Sequence, residues 1–220
     1  MLSQTPFSPT TSGSGFLTPP PDDEQTLAMF RRDQDGLGFV MNLTRLWAQL
    51  PEALDGLGHL MSLTARAAGL TMRQRSILIT SCASSIGDSY CSLVWGAKLA
   101  GFAGPRAAAS VLRGDDADLD PDERVLARWA RVVSTRPSDT TEQDVEELRA
   151  TGLTDQQIFA LTLFVTLRAA FALVNDALGA HPDILVAAAA PSPVREAVTY
   201  GRPATASAPA CTGPREGTPT

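Results

Sequence analysis

Gly87-Asp88-Ser89-Tyr90-Cys91-Ser92-Leu93-Val94-Trp95 lies between two apolar segments whose hydrophobic residues recur with helical spacing. Gly87 reads as a break, and Asp88 as the N-cap of a helix beginning at Ser89. Cys91 then sits in the first helical turn, where unpaired backbone N–H groups and the helix dipole favour a thiolate. The residue three positions before Cys91 is Asp88, so no disulfide can close within a C-x-x-C here. Trp95 at i+4 and Lys98 at i+7 share the Cys91 face.

Working outward, Thr71 and Gln74 form a T-x-x-Q capping box that opens the upstream helix, with Ile77, Leu78 and Cys82 on its apolar positions. Downstream, the Cys91 helix is expected to end near Gly101. Gly104-Pro105 starts a short alanine-rich helix that stops at Gly114. Asp120-Pro121-Asp122-Glu123 opens a helix expected to bury Val125, Leu126, Trp129, Val132 and Val133. Thr141 with Asp144, then Thr154 with Gln157, open two more. The last carries the longest apolar segment, Ile158 to Val174, which Thr162, Thr166 and Arg168 interrupt. It reads as a buried helix rather than a membrane span. No N-G or D-G hairpin joins alternating runs, and the chain is expected to be all-α.

The domain boundaries follow from composition. Residues 1–25 are rich in Ser, Thr, Pro and Gly and are expected to be a disordered tail, as are residues 201–220. Residues 26–200 form a single folded domain. A formal charge of −6 and a pI near 4.9 argue against nucleic acid as a partner. The N-terminus has neither the basic nor the apolar part of a secretory signal, and reduced, cytoplasmic thiols are expected. Were residues 82 to 91 one helix, Cys82 and Cys91 would stand about 13 Å apart, too far for the roughly 7 Å that a disulfide spans. Cys211 falls in the tail and reads as an incidental thiol.

Cys91 is the first candidate for chemistry, with a small buried hydrophobe as its structural alternative. Trp95 would shield the thiol and stack on a flat substrate, or simply pack in the core. Lys98 would lower the thiol pKa, or point to water. Asp88 would oppose a thiolate if its carboxylate faced the sulfur. It is also a candidate general base in an apolar pocket beside Tyr90 and Trp95. Arg168 and Asn175 lie two turns apart on an otherwise apolar helix and need partners. His59 and His181 have no Cys, Asp or Glu at ligand spacing, so no metal site is expected. No phosphate or dinucleotide glycine loop and no G-x-S-x-G is present.

Three stretches together resemble the alkylhydroperoxidase-like and carboxymuconolactone decarboxylase superfamily. They are Leu70-Thr-Met-Arg-Gln-Arg-Ser-Ile-Leu-Ile, the Gly87–Trp95 segment, and Leu153-Thr-Asp-Gln-Gln-Ile-Phe-Ala through Asn175-Asp-Ala-Leu-Gly179. The resemblance spans about Leu37 to Pro203. It implies an alkylhydroperoxidase-like helical bundle and a homo-oligomer. It maps the glutamate of the peroxidase branch onto Ser76, its first cysteine onto Asp88, its second onto Cys91 and its histidine onto Trp95.

The reading implied is a thiol-dependent, peroxidase-like oxidoreductase that uses Cys91 on small hydroperoxides. It needs no cofactor and is returned to the thiol by an external thiol reductant, with Cys82 a possible resolving partner if the break at Gly87 folds the two helices together. The alternatives are a non-redox lyase or isomerase acting on a small cyclic acid or lactone, with Asp88 as base, and a non-catalytic small-molecule-binding protein. The expected site is therefore Cys91, Asp88 and Tyr90, with Trp95, Lys98 and Cys82 around the pocket.

Overall fold

The computed structural model describes residues 15–206. Cys211 lies outside them. Eleven α-helices are found among these residues: α1 Glu24–Leu37, α2 Asn42–Trp47, α3 Pro51–Ala67, α4 Met72–Ile86, α5 Ser89–Ala103, α6 Pro105–Leu112, α7 Pro121–Thr135, α8 Glu142–Ala150, α9 Asp155–Ala177, α10 Ile184–Ala189 and α11 Ser192–Ala197. A single 3-10 turn at Pro137–Asp139 links α7 to α8. The described residues contain no β-strand, only an isolated bridge between Asp183 and Thr205. The all-α expectation holds.

The helix starts are where the side chains demand them. Thr71, Asp120, Thr141 and Thr154 each close a capping box with Gln74, Glu123, Asp144 and Gln157 respectively. Each box satisfies two backbone donors that the first helical turn leaves open. The helix after Gly87 runs two residues past the expected Gly101 and stops at Ala103, before Gly104.

α4 is the central helix. Eight consecutive residues, Ser76 to Ala83, are buried, so the helix is covered on every side. On one side, Leu78 and Cys82 join Met61 of α3, Trp129 of α7 and Phe164 of α9 in one apolar cluster. On the other, Ile77 joins Leu99 of α5, Val111 of α6 and Val194 of α11 in a second.

α9 is long and apolar enough to cross a membrane by length and composition alone. Here it packs against α3, α4 and α7. The expectation of a buried helix holds for the face bearing Leu161, Phe164, Val165 and Ala172, while Phe159 and Leu173 are exposed.

The expected tail boundaries need correcting. Phe16 donates its backbone N–H to Leu178 O at 2.8 Å, and Arg202 stacks on the Phe16 ring. α1 starts at Glu24, capped by Asp23, inside the segment assigned to the tail. At the other end, Gly201, Arg202 and Thr205 are engaged too. Thr205 N–H donates to Pro182 O at 2.8 Å. Low apolar content misled the composition reading, because these segments are held by backbone hydrogen bonds and a few side chains rather than by an apolar face.

Candidate functional site

The turn at Gly87 brings the two cysteine-bearing helices together. Gly87 adopts φ 81°, the left-handed conformation that only glycine takes cheaply. The chain reverses there, and α4 and α5 pack against each other. Residues 82 to 91 are thus not one helix, and the separation calculated for a continuous helix does not apply. Cys82 and Cys91 are both free and buried in the same apolar cluster. Residue 201 crosses over this turn: a Cβ on Gly201 would lie 2.5 Å from Gly87 O. Ser89 Oγ donates to Arg202 O at 2.8 Å, which ties the C-terminal segment to the start of α5.

Asp88 caps α5 as expected, its Oδ1 accepting from Cys91 N–H at 3.1 Å. It has no exposed surface, and its Oδ2 has no hydrogen-bond partner. Burial raises its pKa, opposed by the hydrogen bonding of Cys91 and, more weakly, by the Arg168 charge. Cys91 is 4% exposed. Burial pushes its thiol pKa well up, the Asp88 charge adds to that rise, and Arg168 opposes it. The helix start therefore does not leave a resting thiolate. The sequence located the dipole but not the depth at which the sulfur lies.

The cation on the sulfur is Arg168 of α9. Its Nη2 donates to Cys91 Sγ at 3.7 Å and its Nη1 to Met61 Sδ at 3.6 Å. The guanidinium also lies 5.2 Å from the ring centroids of both Trp95 and Phe171. Its Nε is sealed from solvent and has no partner. Lys98, expected to serve the thiol, instead places Nζ 4.1 Å from the centre of the Trp95 ring. Burial followed by the Arg168 charge lowers its pKa. Trp95 is therefore held by two cations.

Arg168 and Trp95 also line a cavity of about 200 Å³ that opens to the surface, together with Met61, Met72, Arg75 and Phe164. Neither Cys91 nor Asp88 lines it. Arg168 is the side chain shared by the cavity and the thiol.

Tyr90 needs correcting as a site residue. Its hydroxyl donates to Asp183, and both side chains are buried. Burial, then the Asp183 charge, push its pKa far above the usual phenol range. The Asp183 carboxylate also accepts from Asn42 N–H. Tyr90 thus anchors α5 to the chain ahead of α10. Successive helical residues point about 100° apart, so adjacency to Cys91 does not bring Tyr90 to the cavity.

Cys82 is 1% exposed, and its thiol lies 4.0 Å from Val165 O. Its pKa is pushed up to about 11, chiefly by burial. It is a core residue and does not line the cavity. Ser76, onto which the resemblance maps the glutamate of the peroxidase branch, is fully buried and donates to Met72 O at 2.8 Å. Asn175 accepts from Trp47 Nε1 at 2.8 Å and has no contact with the thiol. His59 is exposed on α3, and His181 Nδ1 lies 2.9 Å from Pro203 O. Among the described residues, no group of His, Cys, Asp and Glu is arranged to hold a metal ion.

No family model matches this sequence, and no curated protein does. Solved structures do match its fold. An alkylhydroperoxidase AhpD core, an uncharacterized peroxidase-related protein from Ralstonia eutropha JMP134, aligns with a TM-score of 0.66 at 21% identity, over 77% of this chain and 93% of its own. An uncharacterized peroxidase-related protein from Silicibacter sp. TM1040 aligns with a TM-score of 0.66 at 21% identity, over 80% and 96%. A cysteine-to-alanine variant of the debrominase Bmp8, in complex with 2,3,4-tribromopyrrole, aligns with a TM-score of 0.63 at 17% identity, over 79% and 95%.

Proposed function

We propose that this chain, which has the alkylhydroperoxidase-like fold, is a thiol-dependent oxidoreductase acting on small hydroperoxides with Cys91 as its single nucleophile. The observation that carries this reading is the placement of Cys91 Sγ between the Asp88 carboxyl and the Arg168 guanidinium, 3.7 Å away.

Burial and the Asp88 charge keep the thiol protonated at rest. Asp88, whose charge acts on the thiol, is the acceptor, with Oδ2 unpartnered and a pKa raised by burial. Passing the thiol proton to Asp88 leaves a thiolate facing Arg168, which the guanidinium stabilises. That thiolate attacks the distal oxygen of the hydroperoxide. A sulfur–oxygen bond forms, the oxygen–oxygen bond breaks, and the electron pair leaves on the alkoxide, which takes the proton back from Asp88. The products are Cys91 sulfenic acid and an alcohol. Two external thiols then return the sulfenic acid to the thiol, giving their disulfide and water. Asp88 thereby replaces the proton relay that glutamate and histidine supply in the peroxidase branch, where this chain has Ser76 and Trp95.

Because Cys91 is buried, substrate in the cavity reaches sulfur only when the Arg168 side chain turns aside. A lyase or isomerase with Asp88 as base has less support, since Asp88 has no exposed surface and does not line the cavity.

The Trp95 and Phe164 rings in the cavity wall support a second substrate for the same thiol, a haloaromatic. The thiolate would take the halogen, the carbon–halogen bond would break, and the ring carbanion would take the Asp88 proton. An external thiol would then displace halide from the sulfenyl halide to give a mixed disulfide, and a second would release the Cys91 thiol as the two external thiols leave joined as their disulfide.

The test is consumption of cumene hydroperoxide with dithiothreitol as reductant, with 2,3,4-tribromopyrrole in parallel and sulfenic acid trapped by dimedone. The reading requires turnover that Cys91→Ser abolishes and a dimedone adduct on Cys91. Equal peroxide consumption by Cys91→Ser, or no adduct, refutes it. Turnover of the bromopyrrole alone selects the second substrate, and turnover of neither leaves a binding scaffold.

A further inference from the structure

The cavity beside Cys91 is walled by apolar side chains and by cations that have no anion. Arg75 uses Nε to donate to Leu70 O at 3.2 Å, and its terminal nitrogens have no protein partner among the described residues. Arg168 donates only to two sulfurs, and its Nε is buried and unpartnered. Lys98 Nζ lies over the Trp95 ring and has no carboxylate partner among the described residues. No Asp or Glu lines the cavity. This occurs in a chain with 24 acidic and 18 Lys and Arg residues, where Arg73, Arg128, Arg131, Arg136 and Arg149 do find carboxylates.

An unpaired cation drawn out of water costs free energy unless an anion completes it. Arginine's planar fork suits a carboxylate, which it can hold through two parallel bonds. Met61, Met72, Trp95 and Phe164 supply apolar and aromatic surface, and Ser62 is the one uncharged polar side chain in the lining. A cavity of about 200 Å³ has room for one small ring with a short substituent, below the size of a typical drug-sized site.

We propose that this cavity selects a small aromatic carboxylate, with the ring against Trp95 and Phe164 and the carboxylate on Arg75 and Arg168. The inference rests on the cavity being the substrate's place in the thiol reaction, and it adds a carboxylate to the ring that carries the reacting hydroperoxide or halogen. Arg75 is then the specificity residue. Arg168 has two duties, and on ligand binding its guanidinium moves from sulfur toward the carboxylate, which uncovers Cys91.

The test is isothermal titration of the whole chain with benzoate, benzamide and inorganic phosphate. Benzoate is expected to bind at least tenfold more tightly than benzamide or phosphate. Arg75→Gln is expected to weaken benzoate at least tenfold, with Arg75→Lys recovering part of the loss. Titration reads binding with no reductant or peroxide present, so this result stands apart from whether the thiol turns over. Benzoate and benzamide binding equally, phosphate binding as well as benzoate, no benzoate binding, or an unchanged Arg75→Gln would each overturn the proposal.

Discussion

Arg168 Nη2 reaches Cys91 Sγ across 3.7 Å, joining the long helix α9 to the first turn of α5 from 77 residues away. This contact supplies the positive charge expected from Lys98. It also covers the sulfur. Arg168 thus opposes the rise in the thiol pKa while restricting access to it.

Arg168→Met keeps most of the volume and removes the charge. Its Cys91 thiol is expected to titrate at higher pH than wild type, because Arg168 is the cation that opposes the rise caused by burial and Asp88. Ultraviolet thiolate absorbance in a Cys82→Ala, Cys211→Ser background reads this directly. Hydroperoxide kcat/KM is expected to fall at least tenfold, or about 1.4 kcal/mol of barrier. An unchanged midpoint would mean that Arg168 is not the thiolate's counter-ion.

Asp88→Asn retains an oxygen to cap α5 and loses the carboxyl. Its melting temperature is expected to stay near wild type, since Asn and Asp cap about equally well, whereas Asp88→Ala is expected to cost about 1 kcal/mol. The Cys91 thiol pKa is expected to drop, as one of the causes of its elevation is gone. Turnover is nevertheless expected to fall about 100-fold or more, because no group then returns a proton to the leaving alkoxide. Wild-type turnover in Asp88→Asn would dispose of the carboxyl as proton carrier. It would leave Asp88 a helix cap and nothing more.

Trp129→Ala is expected to destabilise by about 3–5 kcal/mol. The ring is 7% exposed in the cluster between α4 and α9, and its Nε1 donates to Thr162 Oγ1 at 3.2 Å. Chemical denaturation followed by circular dichroism measures this, and a curve overlaying wild type would misplace the core.

Trp129 and Tyr90 show where the sequence was legible and where it was not. Trp129 belongs to an amphipathic period opened by a capping box, and both signals are local, so its burial could be read directly. The same holds for Thr71, Thr141 and Thr154, and for the break at Gly87. Tyr90 is different. Its partner Asp183 lies 93 residues away, and nothing local marks which face of α5 meets it. Arg168 stood between these cases. An arginine on an apolar helix announces that it needs a partner, but only the packing of α9 against α4 and α3 shows that the partner is a sulfur. The depth of Cys91 was equally hidden, because a helix start is recognisable from its cap whether it faces water or the core.

Asp176, near the C-terminal end of α9, is half-buried, and its pKa is raised from 3.8 to about 6, first by burial and then by the charge of Asp88, against the opposing Arg202. The folded state therefore holds this proton more tightly than the unfolded chain does. The stabilisation is fully present below 3.8 and is lost as pH rises through about 6. Glu123, whose pKa the Arg73 hydrogen bond lowers, works in the opposite sense, losing stability as pH falls. Comparing Asp176→Asn with wild type at each pH cancels Glu123 and isolates Asp176. The melting temperature of Asp176→Asn relative to wild type is expected to rise as pH goes from below 3.8 to above 6, because only the wild type must ionise a half-buried carboxyl beside Asp88. A difference that stays flat across that window would mean that Asp176 keeps an ordinary carboxyl pKa in the folded chain.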